Sequence, residues 1–210
     1  MQKARLFQFF TMKNFLEEEP DQKRIREFLL SLAYLDKKTW EKNSNLIPEY
    51  HRFRVSNFFS HMHICPDLQF LTLKDRKLSA ILSLLRVQES RLQKMSSWEE
   101  ITEDGSFLSH HPYGDFIFAA RLSLDPSERT FSLARAMINI PFRKTVSENG
   151  ARGACVAVEN NHREISFFQR QGFEVIRVAQ HFLPGGGKIP ENPRRDAVIM
   201  VRKSLNMVSS

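Results

Sequence analysis

Residues Val158 to Phe173 read VENNHREISFFQRQGF. The run ahead of them, Gly153–Val158, is short and apolar, as a buried strand would be. Asn161 suits the start of a helix over Asn161–Gln171, because its side chain can accept an N–H that the first turn leaves without a partner. Gly172-Phe173 then turns the chain into a further strand, FEVIRV. This strand–helix–strand unit is the clearest part of the chain, and the rest is read outward from it.

Upstream, Phe116, Phe118, Ala120, Leu122 and Leu124 alternate with other residues, which predicts a strand with one buried face. Ala134, Met137, Ile138, Phe142, Thr145 and Val146 trace a helical stripe from Arg129 to Asn149. Pro141 lies inside that stripe and is expected to kink the helix or split it, and Asn149-Gly150 ends it. Downstream, Phe173–Phe182 and Ala197–Lys203 are the last two strands, joined by a Gly- and Pro-rich loop.

The first half is less regular. Leu6–Met12 reads as a strand, and Pro20 opens a helix with Ile25, Phe28, Leu29 and Leu32 on one face. A second helix is expected from Pro48 onward, with Val55, Phe58, Phe59 and Met62 at helical spacing. Leu68–Leu73 and Leu78–Val87 read as strands, with Lys74-Asp75-Arg76 turning between them. Gln88–Gly114 is polar, carries Trp98, and reads as a loop with a short helix. The order suits one α/β domain over 1–210, a mixed sheet with helices on both faces.

Composition narrows the partners. The chain has 210 residues, 41% of them apolar, enough for a sizeable core. No apolar run approaches the roughly 20 residues that span a bilayer, so no membrane partner is expected. The net charge of +7 favours anionic partners, but the basic residues are scattered, so nucleic acid is not expected. Two cysteines in apolar surroundings, Cys65 and Cys155, fit a reducing compartment, cytoplasmic or nuclear. His61-Met62-His63-Ile64-Cys65 lacks a complementary ligand group for zinc, and no metal is expected. Gly185-Gly186-Gly187-Lys188 lacks the spacing of a phosphate-cradling loop and reads as a hairpin.

The element order and the motifs resemble the acyl-CoA-dependent N-acetyltransferase (GNAT) superfamily, firmly over 115–203 and more loosely over 1–114. Two runs carry the resemblance. After its fourth strand the family has Arg or Gln, then x-x-Gly-x-Gly/Ala at a helix start; here Arg129-Thr130-Phe131-Ser132-Leu133-Ala134 stands there, with Ser132 in place of the middle Gly. Later the family has Asn-x-x-Ala-x-x-Phe-Tyr-x-x-x-Gly-Phe. This chain runs from Asn161 to Gly172-Phe173 with Phe168 at the Tyr position.

The resemblance implies a GNAT-like, mostly antiparallel sheet. It also implies an N-acetyltransferase that moves an acetyl group from acetyl-CoA to an amine of a protein or small molecule. Leu122, Leu124, Arg129, Thr130, Ser132, Leu133 and Ala134 would hold the cofactor at the strand end and helix mouth, with Asn161 and Phe168 on the pantetheine side. The hairpin after Leu183 would border the acceptor. Phe168 cannot protonate a departing thiolate, as the family's Tyr hydroxyl does. Glu159 is the first candidate for a base, then His111 and its neighbour His110, while Tyr113 is a substitute acid only if its loop folds over the cofactor. Ser132 and Phe168 also support a second reading, a degenerate member acting as a binding or adaptor module. A basic adaptor for nucleic acid or an acidic protein is a third, and it needs a contiguous basic face that the sequence does not show.

Overall fold

The computed structural model describes residues 7–41, 52–184 and 194–203, with the backbone alone at 147–149. In chain order the elements are β1 (Gln8–Thr11), α1 (Met12–Glu18), α2 (Gln22–Glu41), α3 (Val55–Ile64), β2 (Gln69–Lys74) and β3 (Lys77–Val87). Then come α4 (Glu89–Lys94), α5 (Trp98–Thr102), β4 (Phe116–Leu124), α6 (Phe131–Asn149), β5 (Gly153–Glu159), α7 (His162–Gln169), β6 (Glu174–Leu183) and β7 (Arg195–Lys203). One sheet holds seven strands in the order β1-β2-β3-β4-β5-β7-β6, antiparallel except between β4 and β5. Helix α6 is the crossover that a parallel pair requires.

Local chemistry accounts for the joints. Asp75 and Arg76 both take positive φ, 50° and 64°, and make the two-residue turn between β2 and β3. Thr130 caps α6 through the Leu133 N–H, Gly150 closes it with φ 64°, and Gly172 takes φ 81° at the turn into β6.

Strand β4 is not the single-faced strand that its alternation predicts. Ser83 pairs Arg121 while Leu84 pairs Ala119, so Ala120 is an extra residue, a bulge. Since side chains alternate with period two, one inserted residue exchanges the faces beyond it. Ile117 and Ala119 therefore lie with Ile138 and Phe142 of α6, around a void of about 20 Å³. Arg121 and Ser123 instead meet Asp36 of α2. Leu122, which pairs Leu82, returns to the α6 face.

Helices cover both faces. On one, α2, α3 and α5 bury Leu29, Leu32, Phe58, Trp98 and Ile101. On the other lies α6, joined to α7 where Phe131 meets Phe167 at 5.1 Å. The expected helix start at Pro48 lies outside the described residues; the described part of that helix is α3, from Val55, with Phe59 52% exposed. Three expectations change. Pro141 does not split α6, which runs unbroken through it; the Thr145 hydroxyl bonds the Pro141 carbonyl at 2.6 Å. The helix after β4 begins at Phe131, not Arg129, because Thr130 acts as its cap. Residues 88–114 form two short helices with a buried interior, Trp98, Ile101 and Phe107, rather than a polar loop with one short helix.

Candidate active site

The sheet contains one built-in opening. β4 and β5 pair only from Phe116–Gly153 to Ala119–Val156. Beyond that, β4 runs on with β3 to Leu124 and β5 with β7 to Glu159, so the two strands part company. The bulge at Ala120 sits where they separate.

Hydrogen bonding on the β3 side decides what lines this gap. The Asp125 N–H bonds the Ser79 carbonyl at 2.8 Å. Bonded and non-bonded pairs alternate in an antiparallel ladder, so Ser123–Ile81 and Arg121–Ser83 are bonded while Leu122–Leu82 and Leu124–Ala80 are not. Leu122 and Leu124 therefore direct both backbone groups away from β3, toward the gap. The Leu124 carbonyl accepts from the Thr39 hydroxyl at 2.9 Å. The Leu122 N–H and carbonyl have no partner among the described residues.

The mouth of α6 adds more open donors. Thr130 Oγ1 takes the Leu133 N–H at 3.2 Å, and the Ala134 N–H bonds the Thr130 carbonyl. The N–H groups of Phe131 and Ser132 find no acceptor among the described residues, and both residues are exposed. Ser132 is the second residue of the helix and is not among the positive-φ residues, so it needs none of the freedom of the expected glycine. Its hydroxyl shares a 3.1 Å contact with that of Thr130. Arg129 is exposed beside them. The loop leading in is tied down: Asp125 accepts from Lys38 at 2.8 Å and from the Ser127 N–H at 2.9 Å, and Lys74 pairs with Glu128. Open amides and the positive end of a 19-residue helix suit phosphate oxygens.

Across the gap, the side chains at the end of β5 are engaged. Glu159 forms an ion pair with Arg195 and accepts from Asn161 Nδ2 at 3.1 Å. Asn161 Oδ1 caps α7 through the Glu164 N–H at 2.9 Å, and Glu164 accepts the Glu159 N–H at 3.0 Å. Burial holds the Glu164 carboxyl above its ordinary range. Phe168 packs edge-on against Phe167 and Phe173, with ring centres 5.1 and 5.5 Å away.

Two of the sequence candidates are not brought to the gap. His111 and Tyr113 precede β4, whose chain must run from Phe116 to Leu122, about 20 Å at strand rise, before the gap is reached. Tyr113 is 86% exposed, and His111 lies 3.3 Å from Gln88 Nε2. Their neighbour His110 accepts the Arg86 N–H at 3.0 Å, and burial pushes its pKa down to about 4, as befits a neutral acceptor. Gly185–Lys188, in the hairpin after Leu183, lies outside the described residues.

The sequence reading missed a buried charge pair beneath the bulge. Arg121 and Asp36, 6% and 0% exposed, meet at 3.3 Å. Asp36 also accepts from the Ser123 hydroxyl at 2.6 Å and the Phe53 N–H at 2.8 Å. The guanidinium lies 4.5 Å from the Phe53 ring centre and 5.0 Å from that of Trp98. Arg121 was hidden by the strand's apparent alternation; once the bulge is known, its parity reports it.

No protein-family model and no curated protein sequence matches the chain. Solved structures do. The chain resembles the loading GNATL domain of CurA from Lyngbya majuscula, with TM-score 0.69 and 12% identity over 94% of this chain and 98% of that one. It resembles the GphF GNAT-like decarboxylase in complex with isobutyryl-CoA, with TM-score 0.67 and 11% identity over 94% and 98%. It also resembles the ribosomal-protein-S18-alanine N-acetyltransferase from Escherichia coli, with TM-score 0.58 and 13% identity over 94% of each. At these identities the shared property is the fold: the chain is a divergent member of the GNAT fold.

Proposed function

We propose that the chain is an acyl-CoA-dependent N-acyltransferase that moves an acetyl group from acetyl-CoA to an amine of a protein or small molecule. The observation that carries this reading is the unpartnered Leu122 edge in a strand gap, next to the open amides of Phe131 and Ser132. A pantetheine arm contains amides that need strand-like partners, and a diphosphate needs donors; the two requirements meet at adjacent places. In this reading Leu122 and Leu124 border the arm, Arg129, Thr130, Ser132, Leu133 and Ala134 form the phosphate end, and Phe168 faces the thioester side.

Glu159, at the end of β5, is the candidate base in this reading, and its pairing with Arg195 means it must release that partner to take a proton. Phe168 donates none. Thiolate leaves readily, since a free thiol has a pKa of about 8.5, so positioning and a polarising N–H carry most of the reaction. No helix among the described residues is long and apolar enough to cross a membrane. Cys65 and Cys155, both buried and free, support a cytoplasmic or nuclear site.

Titration with acetyl-CoA and coenzyme A, read by calorimetry, tests binding; an absence of heat and of any rise in Tm would end this reading. Release of free thiol with a panel of amines and peptides then tests turnover. Phe168→Tyr restores a hydroxyl where the family has one, and is expected to raise turnover about 10²-fold, the lower range for a positioned acid. The engaged state of Glu159 and the apolar seat of Phe168 favour a second reading, a binding module without turnover. In that case acetyl-CoA binds, and neither the wild type nor Phe168→Tyr releases thiol.

A further inference from the structure

The stretch Met95–Glu99, which links α4 to the first turn of α5, bridges the gap on the face opposite α6, and it is fastened on both sides. Toward β4, Trp98 Nε1 donates to the Ala120 carbonyl at 3.0 Å, at the bulge. Toward the far edge, Arg177 Nη2 in β6 donates to the Met95 carbonyl at 2.6 Å, and Arg194, just before β7, pairs with Glu99 at 3.2 Å. The register shows where this strap crosses. Arg177 pairs Ile199, and Ile199 pairs Ala157. Ala120 and Ala157 are each the first residue past the last β4–β5 pair, Ala119–Val156. The strap thus lies over the vertex from which the two strands diverge.

Its underside is rigid and apolar. Met95 is 1% and Trp98 4% exposed. The indole packs against both the Phe53 ring, 5.9 Å away, and the Arg121 guanidinium, 5.0 Å away, which Asp36 pairs. A ring gripped by a hydrogen bond, an aromatic neighbour and a buried cation has little freedom to swing aside.

Resting on the acyl-CoA reading above, we infer that Trp98 and Met95 are specificity-determining residues that cap the gap above the thioester and restrict the transferred group to a short acyl chain. An acyl-CoA that enters along α6 points its acyl end through the gap at this ceiling. Each methylene beyond the space available must displace a packed side chain, and a single misfitting methylene is worth about tenfold or more in such pockets.

The test compares dissociation constants of coenzyme A, acetyl-CoA, butyryl-CoA and octanoyl-CoA for the wild type, Trp98→Ala and Met95→Ala. It requires no turnover. The wild type is expected to hold acetyl-CoA at least tenfold tighter than octanoyl-CoA. Trp98→Ala should narrow that ratio by about tenfold and Met95→Ala by less, with coenzyme A bound alike by all three. If Trp98→Ala fails to fold, Met95→Ala decides alone, and Trp98→Phe, keeping the ring but losing the bond to Ala120, is expected to retain the short-chain preference. A chain-length profile identical in wild type and variants overturns the inference while leaving the acyl-CoA reading intact. Failure of coenzyme A and acetyl-CoA alike to bind the wild type overturns both.

Discussion

The two faces of the sheet are built from different chemistry. Against α6 the contact is mainly apolar, with Leu82, Leu84, Ile117, Ala119, Ala154 and Val156 meeting Ile138, Phe142 and Phe173, and with polar contacts from Thr72 to Met137 and from Asn139 to Arg202 and Gln171. Against α2, α3 and the strap, polar groups are buried without water-facing outlets: Asp36, Arg121, Ser123, His61 and Gln69 are all 6% exposed or less. An apolar layer tolerates exchange of one hydrophobic side chain for another, whereas a buried polar layer is satisfied in one arrangement only. That arrangement holds the bulge, the strap and therefore one wall of the gap. The polar face should accordingly be the one that responds to loss of charge and to pH.

The largest effect belongs to the ion pair. Asp36→Asn leaves Arg121 buried without its counter-charge and is expected to lower stability by about 3–5 kcal/mol in urea unfolding. Arg121→Met should cost a similar amount, while the double variant should lose clearly less than the two singles combined, because neither charge is then stranded. Strictly additive losses would mean that the pair is incidental and that the two faces differ only in composition.

His61 supplies the second test. Its ring stacks on Phe107 at 3.8 Å, and Nε2 donates to the Gly105 carbonyl at 2.8 Å, pinning the segment of positive-φ residues Glu103, Asp104, Gly105 and Phe107 that follows the strap. Nδ1 is buried without a partner among the described residues, and burial pushes the pKa down to about 3. The unfolded chain therefore binds a proton near pH 6.5 that the native state refuses until about pH 3. Stability is full above pH 6.5 and falls as pH drops through the window between these values. Between pH 7.5 and 5, where ordinary carboxylates remain ionised, His61 should account for about 2 kcal/mol of lost stability. His61→Leu should remove about half of the slope in that part of the profile in urea titrations at fixed pH, His110 supplying the rest; an unchanged slope would show that the His61 site opens to water.

How much of this was legible follows the same division. The α6 side follows from pattern alone: its stripe, its Gly150 end and the Gly172 turn all stand where the sequence puts them. The opposite face was not legible, for physical reasons that can be named. A bulge at Ala120 has no sequence mark, since alanine neither requires nor forbids it, yet it reverses the orientation of every later side chain in β4. The strap and α5 are too short to show a period, and the charges in and after them, Glu99, Glu100 and Glu103, read as a solvated loop. His61 sat in a run weighed only for metal binding, although its spacing from Phe58 placed it on the buried side of α3. Arg129 to Ala134 are singled out by the family resemblance alone; the open Leu122 edge required the register.

The smallest expected effect separates the gap from its α7 border, where no residue of the helix is fully buried. Asn161 was expected on the pantetheine side, but both ends of its side chain are engaged within the protein, Oδ1 with the Glu164 N–H and Nδ2 with Glu159. Asn161→Ala should therefore behave as the loss of a helix cap, lowering stability by about 1 kcal/mol, with acetyl-CoA affinity changed less than about twofold. Ser132, whose amide is open, provides the contrast: Ser132→Pro removes that N–H while occupying a first-turn position that accepts proline, so affinity should fall several-fold with little loss of stability. If the two variants exchange behaviours, with Asn161→Ala weakening acetyl-CoA and Ser132→Pro leaving it untouched, the ligand lies along α7 instead of the α6 mouth. The open amides would then be an ordinary helix end facing water.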